Sequence, residues 1–322
     1  MSKPAESPPL VSIVIATFQS RRDHLSAAIT SALGQTWRSI EVIVSDDSPG
    51  DALRDFVAGF RDPRLRYRHN SPPHGVARNH WVSFREARGE YLAVLNHDDW
   101  LAPTFVEQLL QALQRQPEAV LAFCDHWVID TRGRRLDADT DRNSRAWGRQ
   151  HLASGMHRPF PALVSGQTIP MAMGALFRRS ALPAVLPDEA GPAYDLWLVY
   201  LLCRGGGGAW YERERLSAWR THADNLTSGG GLAWLRGSAT CWKAMSMDPL
   251  FAQVHHATRR KAALGYYGCA LRAWRDGQRG ACARFAFQSL RSCLTLRGLL
   301  ACVLPVLPLH LSDRSLFRRR AC

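Results

Sequence analysis

The chain has 322 residues, enough for one large domain or two ordinary ones with a substantial core. Apolar residues make up 46% and charged residues 21%, which excludes wholesale disorder and fibrous repeats. The unusual quantity is charge: 41 basic against 28 acidic residues, a net of +13 that suits nucleic acid, an anionic membrane surface or phosphorylated substrates. Most of that surplus sits at one end. Residues 251–322 hold 13 basic residues and only two acids, Asp276 and Asp313, so residues 1–250 are left with a net of +2. The opening MSKPAESPPL lacks the basic-then-apolar order of a signal peptide. The longest apolar run, 299–311, is too short to span a bilayer and is broken by Pro305 and Pro308. The eight cysteines form no CxxC pair, which points to reduced thiols in a cytoplasmic protein rather than zinc or disulfides.

Strand and helix signals alternate through the first 130 residues. VSIVIAT (Val11–Thr17) and IEVIV (40–44) read as strands buried on both faces, with an amphipathic helix over Arg22–Leu33 between them. The loop 45–50 follows, then a short helix over 51–60, a strand over 65–68, a helix over 75–88 and a strand over 91–95. Pro103 reads as the first residue of the next helix, and a further strand starts at Val120. This pattern means βαβ units and a mostly parallel sheet, an α/β fold. Residues 131–161 read as a hairpin tip followed by a polar loop. A strand is expected over 169–177, a helix over 194–203, and two short strands over 209–211 and 216–219. Gly205, Gly206, Gly207 and Gly208 form a turn between a helix and a strand, not a phosphate loop. From Leu232 the pattern is helical, with helices over 265–274 and 281–294, and the boundary is expected in 228–231.

In an open parallel sheet, ligands bind at the carboxyl ends of the strands. Strand one ends in Thr17-Phe18-Gln19, strand two in Asp46-Asp47, and strand four in Asn96-His97-Asp98-Asp99. Two aspartate pairs are thereby gathered at one edge. Either they cap the following helices or they share a cation; both pairs directly after buried strands favour a ligand. Neither GxGxxG nor GxxxxGK[ST] is present, so phosphate would have to be met by a metal and by side chains such as Arg78.

VSIVIATFQSRRDHLSAAITSALGQTW, IEVIVSDDS, HGVARNHW and ARGEYLAVLNHDDW, followed by YDLW at 194–197 and ERLSAWRTH at 214–222, resemble the family 2 glycosyltransferases. The resemblance implies the nucleotide-diphospho-sugar transferase (GT-A) fold. It implies a catalytic domain over 1–228, with a nucleotide-sugar half over about 10–130 and an acceptor half over 131–228. It places Thr17, Phe18, Asp46, Asp47 and Arg78 beside the nucleotide and diphosphate, and Asp98 at the metal and diphosphate. Asp99 and His222 would complete a Mn²⁺ or Mg²⁺ site, Asp195 would be the general base, and Trp100 and Arg220 would border the acceptor. One carboxylate base with no second carboxylate nominated as nucleophile implies inversion at the anomeric carbon. The partners implied are a nucleotide-diphospho-sugar and a glycan or lipid-linked acceptor, as in cell-surface polysaccharide or lipopolysaccharide synthesis. The chain departs from the family pattern at Asn96, at Tyr194 and at Gln19, which stand where an acid, an acid and an asparagine are usual.

Two rival readings are a nucleotidyltransferase and a non-catalytic nucleotide-sugar-binding scaffold. The basic helical region 229–322 lacks any nucleic-acid-binding signature. Its Leu-, Ala- and Arg-rich composition suits an anionic membrane surface met through 295–322, at the inner face of the cell membrane; the alternative is a helical cap with solvated arginines.

Overall fold

The computed structural model describes residues 7–222 and 231–307, and the chain divides into two compact units, Met1–Asn225 and Leu226–Cys322. Ser228, Gly229 and Gly230 of the expected boundary lie outside the described residues, as do Arg314, Arg318, Arg319 and Arg320 of the tail.

The first unit is built on one sheet. Strands β1 (Val11–Thr17), β2 (Ile40–Asp46), β3 (Leu65–His69) and β4 (Tyr91–Val94) pair in parallel in the order β3-β2-β1-β4. Every residue of β1, β2 and β4 is buried, the burial that their β-branched runs anticipate for a sheet covered on both faces. The crossovers carry α1 (Arg22–Leu33), α2 (Arg54–Ala58) and α3 (Val76–Glu86). Leu25, Ala28, Ile29 and Ala32 of α1 share one apolar core with Val11, Ile13 and Ile15 of β1.

The chain continues through β5 (Trp100–Leu101), α4 (Phe105–Arg115), β6 (Ala119–Ile129), α5 (Asp137–Ala146), β7 (Gly155–His157), α6 (Pro161–Gly166), β8 (Ala175–Arg178), α7 (Tyr194–Arg204) and β9 (Gly208–Arg220). Strand β8 lies antiparallel between β4 and β6, β6 runs parallel to β9, and β5 and β7 pair antiparallel with β9. Six strands therefore run one way, and β5, β7 and β8 the other. The carboxyl ends of β1, β2, β4, β6 and β9 emerge at a single edge, the edge at which an open sheet binds ligands.

Several elements differ from the sequence expectation, each for a local reason. Residues 137–146 form α5, not a loop. Its buried residues are Thr140 and Ser144, so no apolar stripe marks it. It is held by polar bonds instead: Val128 N donates to Thr140 Oγ1, and Ser144 Oγ donates to Asp125 Oδ2. The two strands expected over 209–219 are one 13-residue strand, β9, whose pairing with β6 jumps from Cys124↔Glu212 to Asp125↔Arg215. The charged run looked like a break because it is a bulge. Helix α4 starts at Phe105 rather than at Pro103, whose carbonyl accepts from Thr36 N. Strand β8 spans only Ala175–Arg178, since Pro170 has no donor for a ladder. Gly206 and Gly207 take φ of 88° and 87°, and a Cβ on Gly207 would lie 2.6 Å from the Glu118 carbonyl, so this turn is glycine-rich for backbone reasons.

Beneath α5, Arg149 Nε donates to Asp125 Oδ1 at 2.7 Å, and both side chains are buried. Burial works against the Asp125 charge, but the Arg149 charge and the Ser144 hydroxyl hold its carboxyl below the usual range. Arg149→Met leaves the buried Asp125 carboxylate with only Ser144 and a 3.4 Å contact to Arg215 Nε, and should destabilise the protein by about 3 kcal/mol in denaturant unfolding, with Asp125→Asn in the same chain recovering much of the loss. An unchanged unfolding midpoint would contradict this role.

The second unit is helical: α8 (Leu232–Met247), α9 (His255–Arg275), α10 (Arg279–Ser292) and α11 (Leu296–Val303). Trp274 and Ala270 of α9, Cys282 and Ala286 of α10 and Ala301 of α11 share a small core. The cysteines of the described residues are free, and most are buried. No helix of the described residues is long and apolar enough to cross a membrane.

Candidate active site

The shared strand edge collects the residues that the sequence singled out. At the end of β1, Thr17 is buried, and its carbonyl accepts from Asp47 N at 3.0 Å and Asn79 Nδ2 at 3.2 Å. Phe18 next to it is 55% exposed, a large apolar side chain left facing solvent at the mouth of the site. Gln19 takes φ 48°, and its N–H donates to Ser48 Oγ, tying the β1 turn to the β2 turn. Asparagine tolerates that left-handed backbone better than glutamine, which is a physical reason for an asparagine preference at this position.

Each oxygen of the β2 pair accepts a hydrogen bond from the protein. Asp46 Oδ1 accepts from Ser48 N and Oδ2 from the Tyr67 hydroxyl at 2.8 Å. Asp47 Oδ1 accepts from Asn70 Nδ2 at 2.7 Å, and Oδ2 from Gly75 N at 2.8 Å. Neither carboxylate caps a helix; Asp47 fixes the turn that enters α3. In that helix Arg78 is exposed, whereas Asn79 is buried and donates to the carbonyls of Thr17 and Ser45, locking α3 onto β1 and β2.

After β4 the two adjacent aspartates part company. Asp98 Oδ2 lies 2.8 Å from His222 Nε2, which follows the end of β9. Asp99 points inward: Oδ1 accepts from Arg220 N and Oδ2 from Asn96 Nδ2. Burial, and then the charge of Asp98, push the Asp99 carboxyl well above the usual range. Asn96 thus supplies an amide donor where a carboxylate would add a third like charge. Arg220 is buried with its Nε on the Asp98 carbonyl and Nη1 on the carbonyls of Asp130 and Thr131, so it clamps the loop that carries Asp98. Trp100 lies in β5, paired with Ala218.

Among the described residues no group of three His, Cys, Asp or Glu side chains could hold a metal. Asp98 and His222 offer one carboxylate oxygen and one imidazole nitrogen at the spacing of neighbouring ligands on a small cation. Hard divalent ions often take one or two protein carboxylates and complete their shell with substrate phosphate, so this pair fits an ion brought with a diphosphate.

Asp195 sits in the first turn of α7, half-buried, with Oδ1 accepting from Leu196 N at 2.8 Å. Burial raises its carboxyl above the usual range. Beside it, Tyr194 stacks on His80 of α3 with ring centroids 3.9 Å apart. His80 Nδ1 donates to the Val76 carbonyl, and burial lowers its pKa to about 4, so it is neutral. The Tyr194 hydroxyl and His80 Nε2 are buried with no hydrogen-bond partner among the described residues. Sequence reasoning missed this pair, because no motif links positions 114 residues apart. His24 of α1, whose ring lies 6.2 Å from His222, was missed for the same reason.

Residues 12–185 match the family described as Glycosyl transferase family 2. The chain belongs to glycosyl transferase family 2. A glycosyltransferase by family, it is 26% identical over 238 residues to the uncharacterized glycosyltransferase RT0329 of Rickettsia typhi, covering 73% of this chain and 70% of that one. It is 32% identical over 107 residues to UDP-Glc:alpha-D-GlcNAc-diphosphoundecaprenol beta-1,3-glucosyltransferase WfaP of Escherichia coli, covering 33% of this chain and 42% of that one. The fold is similar to that of S. aureus TarS 1–349 in complex with UDP-GlcNAc, with a TM-score of 0.62 at 11% identity, covering 94% of this chain and 86% of that one. The fold is therefore of the GT-A kind.

Proposed function

We propose that this family 2 glycosyltransferase moves a sugar from a nucleotide-diphospho-sugar to a hydroxyl of a glycan or lipid-linked acceptor in polysaccharide synthesis, with metal assistance and with inversion. The observation that carries the reading is the pairing of Asp98 with His222 at the strand edge that also holds Thr17, Phe18 and Asp47. A divalent ion held by Asp98 and His222 would neutralise charge developing on the leaving diphosphate. Phe18 offers an exposed ring against which a base can pack, and Arg78 is an exposed cation in the first turn of α3.

Asp195 is the general base in this reading. Its raised pKa brings it nearer the operating pH, which makes it a better proton acceptor than an ordinary aspartate. With one carboxylate taking the proton of the acceptor hydroxyl, attack comes from the face opposite the leaving group. Tyr194, neutral because burial and the neighbouring aspartates raise its hydroxyl, adds no charge beside that base. A glycan or lipid-linked acceptor is supported by the substrate in the name of WfaP.

The test is release of nucleoside diphosphate from a panel of nucleotide sugars with and without Mn²⁺. Metal-stimulated release of a nucleoside diphosphate supports the reading. Pyrophosphate release from a nucleoside triphosphate would replace it with nucleotidyl transfer, and binding without turnover would leave a scaffold.

A further inference from the structure

Helix α11 packs in the reverse of the usual way: its small residues face inward and its large ones outward. Ala301 is fully buried with Trp274 and Ala286, and a Cβ on Gly298 would lie 3.1 Å from Leu290 Cδ2 of α10. Leu296, Leu299, Leu300 and Val303, spaced so that they share one stripe, are exposed instead. Phe287 of α10, Leu294 between the helices and Val306 beyond α11 extend that surface, and these seven side chains are 48–76% exposed. Scattered exposed leucines are ordinary, but seven large apolar side chains in twenty consecutive residues form a patch that marks an interaction surface.

The rim of this patch is basic. Arg284 and Arg291 lie on the Phe287 side of α10, with the Arg291 guanidinium 5.6 Å from the Phe287 ring centroid, and Arg297 lies on α11; all three are exposed. No acidic residue occurs between Asp276 and Asp313. A symmetric copy of this chain would bring one cationic rim against another, which opposes self-association. A helix of eight residues cannot span a bilayer, but it can lie in one.

We propose that the α10–α11 corner docks in the plane of an anionic lipid bilayer, with the leucine stripe at the acyl boundary and Arg284, Arg291 and Arg297 at the level of the lipid phosphates. The surface begins at Phe287, eight residues before the region that composition alone nominated. Packing and membrane contact are not alternatives here: Gly298 and Ala301 hold the helix to the protein while the leucines remain free for lipid.

The experiment is sedimentation of the full chain with vesicles of phosphatidylglycerol and phosphatidylcholine in equal parts, against phosphatidylcholine alone, at low and high salt. The protein should partition to the anionic vesicles at low salt and be released by salt. Neutralising the three arginines (Arg284→Gln, Arg291→Gln, Arg297→Gln) should weaken partitioning by on the order of a hundredfold. Leu299→Ser with Leu300→Ser should weaken it at least about tenfold. Both variants change exposed side chains, so their thermal unfolding should match the parent; Leu296→Ser serves as a substitute if the double variant is unstable. Equal partitioning of parent and variants overturns the proposal, as does absence of parent from anionic vesicles. A dimer that the leucine variant dissociates, without vesicle binding, assigns the patch to a second copy instead.

Discussion

Asp195→Asn should lower transfer by about 10²–10⁴-fold while leaving nucleotide-sugar binding intact. The amide keeps the shape and the acceptor oxygen for Leu196 N but cannot take a proton. Turnover is read as nucleoside diphosphate release, and donor binding by calorimetry; turnover within a few fold of the parent would remove Asp195 from the mechanism. The same reading predicts a pH dependence. Burial raises its folded pKa above the ordinary value of about 3.9, so the carboxyl loses its proton only at higher pH, and if Asp195 is the base, activity should fall as pH drops through that raised value. The stability effect has the opposite sense. A raised carboxyl pKa means the fold favours the protonated form, a contribution present below the unfolded pKa and lost as pH rises through the folded one. At neutral pH the ionised carboxylate therefore destabilises the protein. Asp195→Asn should melt above the parent at neutral pH, with the two curves converging in acid.

Asp98→Asn and His222→Ala should each reduce transfer by at least about a hundredfold and raise the Mn²⁺ concentration needed for half-maximal rate. Asp99→Asn provides the contrast. Both Asp99 oxygens are occupied by Asn96 and Arg220, so the change should leave the metal requirement where it was. If Asp99→Asn raised the metal requirement as much as Asp98→Asn, the division of labour between these neighbours would be wrong. The contrast matters because the two residues are chemically identical and adjacent. Only the loop geometry, clamped by Arg220 through the Asp98 carbonyl, turns one toward His222 and the other toward Asn96 and the Arg220 backbone.

Much of this protein is legible without coordinates, and the reasons are physical. Continuous β-branched runs such as VSIVIAT are what a covered parallel sheet buries on both faces, so β1 and β2 are readable from the sequence pattern. Their alternation with helices implied the topology, and the topology implied the edge at which Thr17, Asp47 and Asp98 meet. Helix α5 was not readable, because periodicity reports apolar burial and α5 is held by hydroxyl bonds to β6. Strand β9 looked broken because a bulge places consecutive charged residues where alternation would be expected.

The sequence by itself determined the fold class, the family and the set of acidic residues at the strand edge, since all of these follow from local pattern and from residue types at a given spacing. Only the tertiary structure decided what surrounds each residue of that set. Whether an aspartate faces a ligand depends on which donors surround it, and those donors come from elements far along the chain: Arg220 for Asp99, His222 for Asp98, Asn70 and Gly75 for Asp47. The stacking of Tyr194 on His80 and the outward turn of the α11 leucines have the same origin. A side chain's chemistry is local, but its burial and its partners are set by packing between distant segments.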